Sequence, residues 1–350
     1  MPIKFLNKSH FTSRRSLLYG LGSVAALGLG GAALSPWLHE KPLKTPNSDF
    51  KPHCLRLAWA MGETDSLFII AQEKGFFNRY NLDIQMLPAI RNSTQVMDCL
   101  KTNQCDIALL SILDWLPNLL SGNLKAKLLV GVSGGNFRLL VSRYRRLERL
   151  ADLSGLSIAT RPTAEKEKLF FSILLRRKGL NPDQNIKWIT MEAEELLPAL
   201  LSHQVNGIIG HDPLMWRLLT SANKDVYELA GSQSGSWSKR VNRILGVRQD
   251  YLDQNPDVTL PLALAIQDAA KWQAKHLKET SILLADHEKH MTSNQIYTML
   301  NSQNQAITPF NNDLWEQVAQ YVDEMKLLNR IPNTEKSSRT ARQLCATITL

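Results

Sequence analysis

Short apolar strands alternate with amphipathic helices along this chain, and the alternation occurs twice. The first series predicts strands and helices in turn at residues 54–59, 66–75, 81–86, 93–102, 106–110 and 113–120. The second series predicts them at residues 156–160, 165–178, 186–189, 194–202 and 205–209. Because helices that connect strands favour parallel pairing, the pattern predicts an α/β fold of two lobes. Each lobe has a parallel-type sheet covered by helices.

The remaining segments predict how the two lobes are joined. Apolar runs at residues 127–132, 137–142 and 243–247 are expected to be hinge strands, and helices are expected at residues 259–287, 292–301 and 312–328. A helical C-terminal tail of this kind is expected to pack back on the first lobe. The predicted boundaries are therefore 53–142 for the first part of lobe 1, 143–242 for lobe 2, 243–335 for the mainly helical return to lobe 1, and 336–350 for a flexible tail.

Composition limits the class of protein further. The 350 residues are 44% apolar and 21% charged, which is typical of a globular chain with room for two domains. The first 35 residues hold four of the nine net positive charges, so no basic surface for nucleic acid is expected. The four cysteines form neither a disulfide scaffold nor a metal knuckle, and a Cys99–Cys105 bridge stays open. We expect no metal and no cofactor.

The N-terminus has the layout of an export signal. A basic, polar segment precedes an uncharged stretch at residues 17–34 that contains five glycines, and this stretch is too weakly apolar for a permanent anchor. Ser13-Arg14-Arg15-Ser16-Leu17-Leu18 resembles the twin-arginine signal. We therefore expect a signal peptide at 1–35, a linker at 36–52, export by the twin-arginine translocase and a periplasmic location. A membrane-tethered form remains open because no clear cleavage site is present.

Several segments resemble one family of transport proteins. Ile70-Ala-Gln-Glu-Lys-Gly-Phe-Phe-Asn-Arg-Tyr-Asn-Leu-Asp-Ile84 is similar to a signature of the periplasmic solute-binding proteins of nitrate/sulfonate/taurine-type ABC importers. The segments at residues 99–108, 150–159 and 199–208, followed by His211-Asp212-Pro213, resemble further landmarks of that family. The resemblance implies a type II periplasmic binding protein fold. It also implies a monomer that passes a small anionic or zwitterionic solute to an ABC permease and its ATPase.

Candidate solute-binding residues follow the carboxyl ends of the predicted strands, where ligands of open α/β sheets bind. They are Glu63, Thr64, Asp65, Arg91, Ser93, Thr94, Ser111, Asp114, Trp115, Asn136, Arg161, Thr163, His211 and Asp212. A helix start at Ser93 and Thr94 would offer hydroxyls and free amides to an oxyanion, and Arg91 and Arg161 could hold it from the two lobes.

Five of these residues have equally simple structural explanations. Ser93 could only cap its helix, Arg91 and Arg161 could be exposed loop charges, Trp115 could fill the core, and Asp212 could fix its own turn. The sequence leaves these alternatives open.

Two other function classes compete with solute transport. The sequence has neither a Walker loop nor a His-Glu-x-x-His helix, and we expect no enzyme activity. The thiamine-pyrimidine synthases resemble these binding proteins, so a related enzyme or a precursor-binding protein is one alternative. A ligand-presenting partner of a membrane sensor is the other.

Overall fold

The computed structural model describes residues 51–60, 66–88, 90–288, 290–304 and 307–348. The predicted signal peptide, with Arg14 and Arg15, and nearly all of the predicted linker lie outside these residues. Within them, no helix combines the length and the apolar character needed to cross a bilayer.

Ten strands and fourteen α-helices make up the described part of the chain. The strands are β1 His53–Trp59, β2 Leu82–Met86, β3 Ile107–Ser111, β4 Ala126–Gly134, β5 Phe137–Ser142, β6 Leu156–Thr160, β7 Ile186–Thr190, β8 Gly207–His211, β9 Val226–Gly231 and β10 Val241–Arg248. The first eight helices are α1 Ser66–Glu73, α2 Phe76–Arg79, α3 Ser93–Lys101, α4 Ile112–Leu120, α5 Glu165–Arg177, α6 Pro182–Asn185, α7 Ala193–Leu201 and α8 Leu214–Ser221. The others are α9 Gln249–Gln254, α10 Thr259–Lys275, α11 Leu277–Ala285, α12 Ser293–Asn301, α13 Asn311–Leu327 and α14 Ser337–Leu344.

The first lobe is built on a sheet with the strand order β2-β1-β3-β10-β4. β1 pairs in parallel with β2 and β3, and β10 is antiparallel to both β3 and β4. Apolar side chains of α10, such as Leu262 and Ile266, pack with Leu57 and Leu245 of the sheet in one buried cluster. The helical segment after residue 255 therefore does cover the first sheet.

The second lobe repeats this arrangement with the order β7-β6-β8-β5-β9. β6 is parallel to β7 and β8, whereas β5 is antiparallel to β8 and β9. Both sheets are thus mixed, with a parallel part and an antiparallel part. The prediction of two α/β lobes is confirmed. The helix-ending residues Gly75 and Gly179 have the left-handed φ of 72° and 83° that such positions favour.

The predicted boundary at residue 142 differs from the observed strand pairing. The predicted boundary places β5 in the first lobe, but Phe137 pairs with His211 and Val141 with Gly207 in the second sheet. An apolar run shows that a strand is buried without showing which sheet it joins, because both sheets bury such runs. The chain therefore crosses between the lobes at Gly135 and Asn136, and crosses back between the end of β9 and the start of β10.

The helical region also departs from the prediction at one point. The single helix predicted at residues 259–287 is two helices, because His276 has a non-helical φ of −129°. Its Nδ1 lies 2.8 Å from the carbonyl oxygen of Trp272. This break lets α11 turn and pack against α12.

The segment predicted as a flexible tail is instead folded. α14 packs on α13, and the amide of Ala346 donates to the carbonyl of Leu128 on β4 at 2.8 Å. Asn311 exchanges two hydrogen bonds with the backbone of Ile348, at 2.9 and 2.8 Å. The prediction was wrong because most residues of this segment are polar, which is typical of an exposed tail. The short apolar end that follows α14 is nevertheless buried, at Cys345, Ala346 and Ile348.

All four cysteines are free thiols in the structure. Burial raises the pKa of Cys105 to about 12 and that of Cys345 to about 12, so neither supplies a reactive thiolate at neutral pH. Among the described residues, no group of three or more His, Cys, Asp or Glu side chains is placed to hold a metal ion.

Candidate functional site

The carboxyl ends of the parallel strands bring several predicted residues together where the lobes meet. Asp114 comes from the start of α4 in the first lobe, and Arg161, Lys166, Glu167 and His211 come from the second. We call these five residues the charged cluster. A small cavity lies near it, because Asp212 in the cavity wall directly follows His211 at the end of β8.

Ser93 of the first lobe is hydrogen-bonded to Asp114 of the charged cluster. The N-cap of α3 is Asn92, whose Oδ1 accepts a hydrogen bond from the amide of Gln95 at 3.0 Å. The explanation of Ser93 as a cap is therefore wrong. Its hydroxyl donates instead to Oδ1 of Asp114 at 3.2 Å. Asn92 can take the capping role because its own backbone is extended before the helix begins.

The second lobe contributes a fully buried carboxylate, Glu167. Its Oε1 contacts Nδ1 of His211 and lies 3.6 Å from Nη2 of Arg161. Burial by itself would raise the pKa of Glu167, but the nearby charges of Lys166, His211 and Arg161 outweigh it and lower the pKa to about 2. Glu167 is therefore ionised at neutral pH.

One ion pair of the charged cluster joins the two lobes. Nζ of Lys166 lies 3.9 Å from Oδ2 of Asp114, and the two side chains are only 6% and 8% exposed. The cluster thus places two carboxylates, Asp114 and Glu167, beside Lys166, Arg161 and His211. The charges of opposite sign largely compensate each other, so this part of the interface does not offer an uncompensated positive charge to an anion.

The interlobe cavity has a volume of about 100 Å³. Both lobes and both crossing segments line it, and its wall is mostly polar. The lining residues are Ser66, Ser133, Gly134, Gly135, Asn136, Asp212, Pro213, Gln233, Arg243, Gln273, Leu284, Met299, Leu300, Gln303 and Asn304.

Arg243 is the cationic residue in the wall of this cavity. It lies in the central strand β10, opposite Ser111 of β3 and Ser133 of β4, and its side chain is buried. A guanidinium held in a buried strand is a fixed source of positive charge and of several N–H donors.

Asp212 lies in the opposite wall and is held by both lobes. Arg138 of the second lobe donates to its two carboxylate oxygens at 2.7 and 2.8 Å. Gln303, beyond the end of α12, donates to Oδ2 at 2.9 Å. Asn136 exchanges hydrogen bonds with the backbone of Asp212 at 3.1 and 3.0 Å. Asp212 therefore does more than fix its own turn, because it connects the two lobes at the cavity.

Other predicted residues lie elsewhere. Trp115 is fully buried and donates to the carbonyl of Ile244 at 3.0 Å, so it belongs to the core and cannot stack on a solute. Ser111 caps α4 and donates to Asn242 at 2.8 Å. Three more are exposed at the surface: Arg91, Thr94 and Thr163. The candidates Glu63, Thr64 and Asp65 fall outside the described residues.

The site also contains residues that the sequence prediction missed, namely Arg138, Lys166, Glu167, Arg243 and Gln303. The sequence does hint at Arg138 and Arg243, because a charged residue inside a mostly apolar strand suggests a role in a site. Lys166 and Glu167 lie in a strongly charged first helical turn, where the sequence does not show which side chains face inward.

A serine motif in the cavity wall lacks the geometry of a hydrolase. Gly131-Val132-Ser133-Gly134-Gly135 has the Gly-x-Ser-x-Gly spacing of a nucleophile elbow. That motif requires a sharp turn from a strand into a helix, whereas residues 131–134 continue strand β4. The spacing therefore does not indicate a catalytic serine here.

Three of the known proteins that resemble this chain show what it is similar to. The nitrate/nitrite binding protein NrtA of Nostoc sp. is 22% identical over 63% of this chain and 54% of its own length. The bicarbonate-binding protein CmpA of Synechococcus sp. is 22% identical over 76% of this chain and 66% of its own. The periplasmic aliphatic sulphonate binding protein SsuA of Escherichia coli superposes with a TM-score of 0.68 at 16% identity, over 84% of this chain and 98% of that one.

The chain thus spans only about half to two thirds of the length of these two curated relatives. The likeness to SsuA shows that the fold is that of a periplasmic binding protein. A family model matches residues 51–285, which is more than half of the chain. The chain belongs to the NMT1-like family.

Proposed function

We propose that this protein is the extracytoplasmic solute-binding component of an ABC importer. It captures one small solute that carries an oxyanion between its two lobes and delivers it to a permease and its ATPase. The observation that carries the proposal is the interlobe cavity, where the buried guanidinium of Arg243 meets polar groups from both lobes. The names of NrtA and CmpA, which bind nitrate or nitrite and bicarbonate, support the same class of ligand.

The size of the cavity favours the smallest solutes of that class. A volume of about 100 Å³ compares with about 30 Å³ for one water molecule in the liquid, whereas pockets for drug-sized ligands exceed about 300 Å³. Nitrate, bicarbonate and a short sulfonate such as taurine match this volume best. A long alkanesulfonate would require the lobes to separate.

The predicted residues divide into two roles in this proposal. Asn136 and Asp212 line the cavity and contact the solute or orient the groups that do. The Lys166–Asp114 pair of the charged cluster connects the lobes, and Ser93 orients Asp114 within the first lobe. The sequence also predicts contacts with the solute just before Ser66, which lies in the cavity wall. These predicted residues are Glu63, Thr64 and Asp65.

A thermal-shift screen followed by calorimetry tests the proposal. Nitrate, nitrite, bicarbonate, taurine and alkanesulfonates of increasing length are compared. A bound solute at a hundredfold excess over Kd adds about 2.7 kcal/mol to the free energy of unfolding. We expect one solute per chain, with affinity that falls as the alkyl group lengthens.

Substitutions at Arg243 then locate the site. Arg243→Gln removes the charge and is expected to weaken binding by about tenfold to a hundredfold, while Arg243→Lys keeps the charge and loses less. Arg145→Gln, at an exposed arginine of the second lobe, is the matched control and leaves the affinity unchanged. Unchanged affinity in Arg243→Gln would mean that the solute binds elsewhere, and turnover of the solute would mean that the protein is an enzyme.

The export route is tested separately. Replacing both Arg14 and Arg15 by Lys keeps the charge but removes the twin-arginine pair, and it is expected to leave the protein in the cytoplasm. Export of the double variant at the normal level would contradict the assignment to the twin-arginine translocase.

A further inference from the structure

The cavity has one wall that comes from a helical pair rather than from the sheets. α11 and α12 pack on Ile69 of α1, and so they belong to the first lobe. Leu284, Met299 and Leu300 of this pair line the cavity. Trp216, on α8 of the second lobe, packs against the same apolar cluster. The helical pair therefore reaches across the cavity from one lobe to the other.

Besides the apolar packing of Trp216, the residues after α12 make polar contacts with the second lobe and with the second crossing segment. Gln303 donates to Asp212 at 2.9 Å. The amide of Asn304 donates to Oε1 of Gln233 at 3.1 Å, and its side-chain Nδ2 donates to the carbonyl of Ser238 at 2.6 Å. None of these three contacts is an ion pair. Hydrogen bonds between neutral groups contribute modestly to stability, and the bond from Gln303 to the Asp212 carboxylate contributes more, so it is the main polar contact that must break for this segment to move.

We propose that α12 and residues 302–304 form a gate over the cavity, and that the hydrogen bond from Gln303 to Asp212 holds it shut. Opening the gate separates Gln303 from the second lobe and Asn304 from the second crossing segment. It makes Arg243 and Ser133 more accessible to solvent, while the lobes stay joined elsewhere. The inference rests on the proposed function in so far as the gate admits and releases the solute. Gln303 acts through Asp212 and is a positioning residue.

The first test needs no solute. Ser133→Cys places a thiol in the cavity wall of a chain that also carries Cys54→Ser and Cys99→Ser, and the buried thiols of Cys105 and Cys345 stay inert. The rate of modification by methyl methanethiosulfonate then reports how often the cavity opens. Adding Gln303→Ala is expected to raise this rate about tenfold, because a hydrogen bond to a charged acceptor is lost.

Asn301→Ala is the matched control, since Asn301 is an exposed amide at the end of the same helix. It is expected to leave the rate unchanged. Equal rates with and without Gln303→Ala would overturn the proposal. An equal increase in the Gln303→Ala and Asn301→Ala variants would overturn it too, since it would indicate general loosening of α12.

The second test uses the solute found by calorimetry. Ser238→Cys and Asn304→Cys are joined by a short bifunctional thiol reagent, and the same variant treated with a monofunctional reagent is the control. Release of bound solute is expected to slow at least tenfold in the joined protein, and unchanged release would contradict the gate. If no solute binds but the thiol rates behave as expected, the gate stands and the proposed function fails.

Discussion

The two lobes meet along two borders of opposite character. At the packed border, Phe170 of α5 contacts Trp237 of the second crossing segment with ring centroids 5.0 Å apart, and Trp237 contacts Tyr321 of α13 at 5.9 Å. The buried carboxylate of Glu324 binds Arg177 and, at 3.1 Å, Arg240. At the cavity border, by contrast, polar side chains and a smaller apolar cluster surround a cavity.

This difference indicates where the molecule can open. Burying one aromatic side chain contributes roughly 1.5 to 3 kcal/mol, whereas one net hydrogen bond contributes about 0.5 to 1.5 kcal/mol. Separating the packed border breaks one continuous apolar cluster that includes residues of both sheets. At the cavity border the apolar contact is smaller, because Trp216 is the second-lobe side chain that packs on the apolar cluster of α11 and α12. We therefore expect the packed border to stay closed while the cavity border opens to solute.

Phe170→Ala is expected to have the largest effect, because it creates a hole at the centre of the packed border. The free energy of unfolding should fall by about 3 to 5 kcal/mol, measured by chemical denaturation. Tyr144→Ala is the control, since Tyr144 is 74% exposed and should change stability by less than about 0.5 kcal/mol. A loss below about 1 kcal/mol in Phe170→Ala would remove the distinction between the two borders.

Glu324→Gln tests the ion pairs of the same border. It leaves two guanidinium groups without their carboxylate, and Arg240 is largely buried. We expect a loss of about 2 to 3 kcal/mol, below the full cost of a buried pair because Arg177 is partly exposed. Glu316→Gln, at an exposed position of α13, should be nearly neutral. Equal stability of the two variants would show that Glu324 does not hold the border.

The acid limb of the stability curve tests Glu167, the buried carboxylate that the charged cluster places in the first turn of α5. The folded pKa of Glu167 is lowered from about 4.5 to about 2, so its contribution is present above pH 4.5 and is lost as the pH falls towards 2. Glu167→Gln should remove this part of the pH dependence and flatten the curve between pH 4.5 and 2. Parallel curves for the two proteins would mean that Glu167 has no such role.

Much of the fold could be predicted because strand and helix patterns are local. The alternation along the chain indicates α/β lobes without any knowledge of long-range contacts. The assignment of β5 was wrong because pairing is set by partners distant in sequence, and β5 pairs with β8 and β9. The tail prediction was wrong for the same reason, since its burial depends on β4 and Asn311.

The site was predicted less completely than the fold. The loops after the strands led to Asn136 and Asp212, which line the cavity, because the carboxyl ends of parallel strands face one edge. Trp115 follows the same rule but points into the core, where Gly246 leaves room for its ring. Arg243 lies within a strand that runs in the opposite direction, so a rule based on parallel strands could not find it.

The smallest effect is expected at Ser93, which bridges to the charged cluster by a single hydrogen bond. Ser93→Ala should lower stability by about 1 kcal/mol or less and weaken solute binding by less than fivefold. Thr94→Ala, at the exposed neighbouring position, is the control. A loss of binding as large as that of Arg243→Gln would instead place Ser93 in direct contact with the solute.

A crystal structure with the solute bound tests the central claim most directly. The account predicts density for one solute in the interlobe cavity, in contact with Arg243 and with groups of both lobes, and an intact packed border. Density outside this cavity, or a bound form in which Phe170, Trp237 and Tyr321 have separated, would contradict it.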